Sequence, residues 1–484
     1  MTHMQNDVRP EALIVLDIGK TNAKLALIDA GGRVLAEQRR PNVVLNDGPY
    51  PHLDTEGIWN WMLATCREFA QLAQVSAIVP VTHGATAALV DDKGLVLPVL
   101  DYEAPLSGFE PGFEPGLDYE TLRPGYEETL SPSLPAGLNL GRQLAWLAQG
   151  FPRAFARARH ILTYPQYWAW RLSGVAAAEA TSLGCHTDLW DPLRQDYSSL
   201  VARMGWRALM PPLSRPSDSL GAVRPVVAAA TGLPADCQVL SGIHDSNASL
   251  LRYLDRSSIG EMGAPRTVLS TGTWMIAAAF GASLDGLCER ADMLANTNAL
   301  GQPVACMRFM GGREFGAIAG PAPQACTELD LARLLARGTL ALPCFAEAGG
   351  PFAGSSGRIT GPEPATAAER YALATLYCVL VTDYCLDALG ASGPIAVEGS
   401  FTANLWFGAL LAALRPQQEV SYSDDASGTT CGGWLLRYRD GVPPGASTRI
   451  EALDLPGLQA YRQRWLDALS APASPAPEFA AYPT

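Results

Sequence analysis

An apolar run from Leu13 to Leu16 stops at Asp17-Ile18-Gly19-Lys20-Thr21-Asn22 and resumes as Lys24-Leu-Ala-Leu-Ile. A Gly31-Gly32 turn then leads into Arg33-Val-Leu-Ala, so the chain opens as a three-stranded meander with a carboxylate at the end of its first strand. The small and hydroxyl residues after Asp17 suit a tight turn in which backbone N–H groups and the Thr21 hydroxyl face an anion. An ordinary hairpin has the same outline, and the G-x-x-x-x-G-K-[ST] spacing of a Walker loop is absent. The theme returns near Thr267, where Val268-Leu-Ser-Thr-Gly272-Thr273-Trp-Met-Ile-Ala again reads as strand, small turn, strand. Two such hairpins in a chain of 484 residues, longer than one hydrophobic core usually supports, imply two lobes with a cleft between them.

Around these turns the pattern is mixed α/β. Asp54 and Thr55 are good caps for a helix from Glu56 to Ala73, with Ile58, Met62, Cys66 and Phe69 on one face. Val75 to Val81 suits a buried strand ending at Thr82-His83-Gly84, and strand ends are common addresses for ligands. From Glu103 to Gly137 the chain turns irregular and repeats a Gly-Phe-Glu-Pro unit between Gly108 and Gly116, as either a flap or a surface insertion. Helical patterns follow at Leu140 to Gln149, Gln166 to Leu172, Ala403 to Leu414 and Ser427 to Arg437. Pro394 to Gly399 reads as a strand ending in a glycine turn, and the tail after Ser470 as a loose terminus.

The net charge of -13 disfavours nucleic acid and anionic membranes, both of which need clustered Lys and Arg. A small-molecule partner is expected. The ten cysteines form no C-x-x-C pair and read as reduced, mostly buried thiols. The polar N-terminus lacks a signal-peptide apolar run and no other stretch of about 18 apolar residues stands out, so a cytoplasmic protein is expected.

Between the two turns lies Ser241-Gly242-Ile243-His244-Asp245-Ser246. Asp245 can be read as a catalytic carboxylate or as the cap of a helix beginning at Ser246, and both can hold at once. In this order the segments resemble the FGGY family of carbohydrate kinases, over nearly the whole chain. The family's D-x-G-x-T-x-x-K is matched by Asp17, Gly19, Thr21 and Lys24, its catalytic glycine and aspartate by Gly242 and Asp245, and its second phosphate turn by Thr271-Gly272-Thr273. Gly399-Ser400-Phe401 with Asn404, and the small-residue helix around Gly432, resemble its adenosine side; Tyr164 to Gly174 and Thr181 to Cys185 resemble its sugar lobe.

The resemblance implies two actin-like, ribonuclease H-like α/β lobes, residues 1–250 binding sugar and the first phosphate turn, residues 251–470 binding nucleotide, and a tail at 471–484. It implies a phosphotransferase with an alcohol group as acceptor, using ATP and Mg2+. Asp245 would be the base, and Asp17 with Asp245 would hold the metal. Gly19, Lys20, Thr21, Asn22, Lys24, Thr271, Gly272, Thr273, Gly399, Ser400, Phe401 and Asn404 would contact ATP. His83, His244, Gln166 and Trp168, with Asp245, would meet the sugar, although His83 reads equally as a structural histidine, His244 equally as packing beside the strand end, and aromatic residues at helical spacing also suit a core. The His244-Asp245 pair resembles the ketose and deoxyketose branches typified by rhamnulokinase and fuculokinase; a homodimer is compatible with them. The sequence departs from the family where many members carry Trp-x-Asp-x-Arg: here the chain reads Leu100-Asp101-Tyr102-Glu103-Ala104, without the Trp or the Arg. The Gly311-Gly312-Arg313-Glu314 cluster reads as a phosphate-side element or a plain helix start. An actin-like ATPase switch or chaperone would share the phosphate turns without needing a sugar.

Overall fold

The computed structural model describes residues 9–106, 119–254, 264–346, 349–423, 428–439 and 447–470. The Gly-Phe-Glu-Pro repeat and the tail expected to be loose lie outside them. By packing, the chain divides into two units: the first holds residues 1–268, 278–307 and 423–447, the second 269–277, 308–422 and 448–484.

The first unit is organised by the expected meander, β1 (Glu11–Ile18), β2 (Asn22–Asp29) and β3 (Val34–Pro41). Helix α1 (Thr55–Leu72) follows, with the Asp54 side chain accepting from Gly57 N at 2.8 Å as its N-cap. Later in the chain, with other elements between them, come β4 (Gln74–Thr82), α2 (Tyr164–Ser173), β5 (Ser219–Ala222), β6 (Gln238–Leu240), β7 (Ile243–His244) and α3 (Asp245–Leu250). The sheet runs β5-β6-β4-β1-β2-β3, with β7 also on β4. β4 is parallel to β1, β6 and β7, while the meander is antiparallel.

Alternation along β1 sends side chains to two different cores, as a sheet covered on both faces requires. Ala12, Ile14 and Leu16 pack with Ile58, Met62 and Phe69 of α1 and with Tyr167, Trp168 and Leu172 of α2. Leu13 and Val15 pack instead with Ala248 of α3 and with Cys431, Trp434 and Leu435 of the helix Gly428–Arg437. That helix can approach so closely because of its two glycines. A Cβ on Gly432 would lie 2.0 Å from the Ala248 carbonyl oxygen, and one on Gly433 would lie 2.7 Å from Val15 Cγ1.

The irregular excursion condenses, where described, into the single turns Tyr119–Leu122 and Tyr126–Thr129. Arg123 ties them down, its NH2 donating to Ser131 O at 2.7 Å and its NH1 pairing with Glu289 at 2.9 Å.

The second unit is built around the helix Ala367–Ala388, flanked by Gly311–Ala319, Glu328–Arg337 and Leu405–Leu414. By length and composition this central helix could cross a membrane, which corrects the expectation that no such stretch exists. Its apolar residues, among them Leu373, Leu376, Tyr377 and Leu380, are buried in protein instead. Asp383 on the same helix binds Arg415 at 2.7 Å and also Arg462 of the helix Leu458–Ser470. None of the ten cysteines is in a disulfide and all but Cys288 are buried.

Candidate active site

Three parallel strands end side by side. Ile18 of β1 and His244 of β7 both register with Thr82, the last residue of β4. Asp17 at the end of β1, His83 just after β4 and Asp245 just after β7 therefore gather at the carboxyl ends of adjacent strands, the usual ligand address of an α/β sheet.

β6 and β7 are one strand interrupted at Gly242. Its φ of +86° belongs to the left-handed region, and an added Cβ would lie 2.5 Å from Pro80 O, so only glycine fits this kink. The kink takes the Ser241 and Gly242 carbonyls out of the ladder, and buried carbonyls need partners. Gln166 provides them: its Nε2 donates to Ser241 O at 3.0 Å and to Gly242 O at 3.3 Å, while its Oε1 accepts from Thr163 Oγ1. Gln166 and Trp168, expected to meet a sugar, are both fully buried. Trp168 sits edge-on to Tyr164 and Tyr167 in the core, and the Gln166 amide is taken up by the backbone leading to Asp245.

Asp245 is the first residue of α3, which His244 caps, rather than the cap itself. Its Oδ1 accepts from Ser246 N at 2.6 Å and lies 3.2 Å from His244 Nε2. Burial lifts its carboxyl to about 6; the Asp17 charge adds to that rise, while His83 and the Ser246 hydrogen bonds oppose it. Burial lowers His244 to about 4, so its ring is neutral. Asn247 Nδ2 lies 3.2 Å from His244 Nδ1. An amide N–H donating there leaves the ring hydrogen on Nε2, directed to the Asp245 carboxylate. The backbone is fixed as well: His244 N donates to Thr181 Oγ1 at 3.2 Å, and Thr181 Oγ1 donates to Glu179 at 2.6 Å.

Burial also lowers His83. Its Nδ1 donates to Gly84 O at 2.9 Å, which leaves Nε2 as a lone-pair acceptor. Gly84 is tightly placed, since a Cβ there would lie 3.0 Å from His244 Nε2.

In the first turn Gly19 N donates to Asn22 O at 2.9 Å, and Asn42 holds the loop through Gly19 O at 2.7 Å and Thr21 O at 2.8 Å. Thr21 and Asn22 are exposed at its tip. Lys24 pairs with Asp17 Oδ2 at 3.1 Å, and Thr429 Oγ1 donates to the same oxygen at 2.6 Å. Lys20, expected on the phosphates, is engaged differently: its ammonium contacts Asp101 and lies 3.3 Å from Glu103. Among the described residues there is no group of three or more His, Cys, Asp or Glu that could hold a metal ion.

The second unit assembles its own cluster. Thr271 Oγ1 donates to Glu398 O at 2.5 Å and accepts from Phe401 N at 3.0 Å. Gly399, with φ of +89°, has no room for a Cβ, which would lie 2.0 Å from Thr271 O. Ser400 Oγ reaches the same carbonyl oxygen at 3.4 Å. Gly312 N donates to Thr273 O at 3.3 Å, and a Cβ on Gly312 would lie 2.5 Å from Gly272 O. The Gly311–Gly312 cluster thus starts a helix directly against the Thr271–Thr273 turn. Asn404 caps a helix, accepting from Trp406 N at 3.1 Å and donating to Thr375 at 2.9 Å, so its side chain is already used.

Sequence reasoning missed Thr429, which lies 412 residues from its partner Asp17 and carries no local signal. It also missed Asn247, although its position three residues after His244, within one helical turn, was a usable hint.

Comparison with known proteins adds to this geometry. The pattern described as "FGGY family of carbohydrate kinases, N-terminal domain" matches residues 132–251, and "Carbohydrate kinase FGGY, C-terminal domain" matches residues 263–445. A carbohydrate kinase from Novosphingobium aromaticivorans has a similar structure, with a TM-score of 0.87 and 38% identity, covering 96% of this chain and 99% of that one. A xylulose kinase from Rhodospirillum rubrum shares the two-lobe fold at 18% identity, with a TM-score of 0.72 and coverage of 95% and 98%. L-fuculokinase of Escherichia coli (strain K12) is 25% identical over 288 residues; the match spans 57% of this chain and 58% of that relative.

Proposed function

Because the chain belongs to the FGGY family of carbohydrate kinases, with its two-lobe actin-like fold, we propose that it transfers the γ-phosphate of ATP to a hydroxyl of a ketose or related polyol, with Asp245 as general base. The observation that carries the reading is a carboxylate raised to about 6 at the shared carboxyl ends of three strands, beside a second carboxylate, Asp17. The choice of a ketose is supported by the relative named L-fuculokinase.

In this reading the acceptor hydroxyl gives its proton to Asp245 as its oxygen attacks the phosphorus in line, and the bond to the ADP oxygen breaks. The His244 N–H keeps the carboxylate aimed, and Gln166 holds the kink from which Asp245 projects. His83 Nε2 accepts a hydrogen bond from another acceptor hydroxyl. Each unit carries one turn suited to phosphate oxygens, Gly19–Asn22 in the first and Thr271–Thr273 in the second. Asp17, its carboxylate fixed by Lys24 and Thr429, would hold the Mg2+ ion, which would supply charge neutralisation on the phosphates.

A coupled ADP-release screen over pentuloses, hexuloses, deoxyketoses and polyols tests the proposal. Acceptor-dependent ADP formation that a chelator abolishes is the expected result. ADP release that no acceptor stimulates would favour an actin-like ATPase and overturn it.

A further inference from the structure

Lys20 occupies the centre of the first turn, where a free ammonium would suit an anion, yet its charge is already matched. It contacts Asp101 Oδ1, lies 3.3 Å from Glu103 Oε2 and sits 4.6 Å over the Tyr102 ring. The Asp101 side chain is only 9% exposed. Its place is fixed, because Asp101 N donates to Pro51 O at 3.0 Å and its Oδ1 accepts from Glu103 N at 3.3 Å.

This group borders the site of the base. The Tyr102 ring packs edge-on to His83 with centroids 5.4 Å apart, and His83 follows the residue that registers with His244. Lys20 and Asp245 both act on His83, the first lowering its proton affinity and the second raising it. A molecule whose hydroxyl reaches Asp245 past His83 therefore meets Tyr102, Asp101 and Lys20. The Lys20 ammonium there faces two carboxylates, those of Asp101 and Glu103.

We propose that Lys20, Asp101 and Glu103 select a neutral polyhydroxylated acceptor and reject sugar acids. A sugar carboxylate needs an uncommitted cation, and Lys20 is committed; a further negative charge in this partly enclosed place would be repelled without compensation. A neutral sugar suits the same pair, since its hydroxyls donate to Asp101 and accept from the Lys20 ammonium. The inference rests on the proposed kinase reading and concerns which acceptor that site takes.

The test uses the full-length protein with two sets of acceptors matched in chain length, neutral ketoses and polyols against aldonates and keto-aldonates. Neutral compounds should exceed every sugar acid in kcat/KM by at least about 100-fold. The double variant Asp101→Asn/Glu103→Gln should narrow that ratio by at least about tenfold, while Lys20→Met should widen it and raise KM for neutral acceptors. A structural role alone would lower stability and leave the ratio unchanged. Calorimetric titration of Asp245→Asn with the same compounds reads binding without turnover. Neutral selection in binding with no ADP release from any acceptor would support the selection and overturn the kinase reading. A sugar acid as best acceptor, or an unchanged ratio in the double variant, would overturn the selection and leave the kinase standing.

Discussion

Replacing Asp245 with Asn should abolish turnover and stabilise the fold at the same time. The folded carboxyl titrates at about 6 against an ordinary 3.8. At pH 7 it is about nine-tenths ionised and competent as a base, whereas at pH 5 about one-tenth is ionised, so kcat/KM in the wild type should fall about tenfold over that range. The stability consequence has a definite sign. A folded value above the unfolded one means the folded chain holds this proton more tightly, so the contribution is complete below 3.8 and lost as pH rises through about 6. Holding the proton that much more tightly corresponds to about 3 kcal/mol. The Asp245 side chain is 26% exposed, and solvent screening reduces this to about 1–2 kcal/mol. Asn carries no charge, so the variant should be more stable than wild type by that amount at about pH 8, and the gain should shrink steadily toward pH 4. Glu179 and Asp188, raised by burial to about 7 and about 6, soften both proteins over the same range and cancel in the difference. Paired urea titrations across this range, with steady-state rates alongside, measure both effects. An acid limb below pH 5, or a stability gap independent of pH, would refute the reasoning.

Gln166→Leu leaves the Ser241 and Gly242 carbonyls buried without partners, and should cut kcat at least about tenfold with KM within about twofold, since the base is displaced while the acceptor contacts remain. Steady-state kinetics reads this split. Gly432→Ala puts a Cβ 2.0 Å from a backbone oxygen that cannot rotate away, and should destabilise the first unit by about 2–3 kcal/mol, seen as a lower urea midpoint. Arg462→Ala removes one of two guanidiniums from Asp383, whose side chain is 3% exposed; a loss of about 2–3 kcal/mol in thermal unfolding is expected, moderated by Arg415.

The meander and α1 were legible because their signals are local: alternating apolar residues, a Gly-Gly turn and an acidic cap at Asp54, whose carboxylate accepts from Gly57 N. Asp17, His83 and Asp245 were legible for a related reason, since each ends a strand and parallel neighbours bring their carboxyl ends together. The supporting shell was not. Gln166 was expected at the sugar because its helix resembles the family's sugar lobe, and only the kink at Gly242 explains why a buried amide is needed there. Thr429 follows from the close approach that Gly432 and Gly433 permit, a tertiary fact without local periodicity.

Lys20 shows how a local motif can be overridden. In a turn of small residues a lysine suggests a phosphate contact, and the 101–103 segment, lacking the family's Trp and Arg, suggested only an altered sugar. The structure makes these two oddities one. Asp101, Tyr102 and Glu103 all attract a cation, two by charge and one by its ring face, and Lys20 is the cation they hold. A change at either position alone would leave a half-buried charge unmatched, so the lysine of the turn and the acidic segment are best understood as a compensating pair.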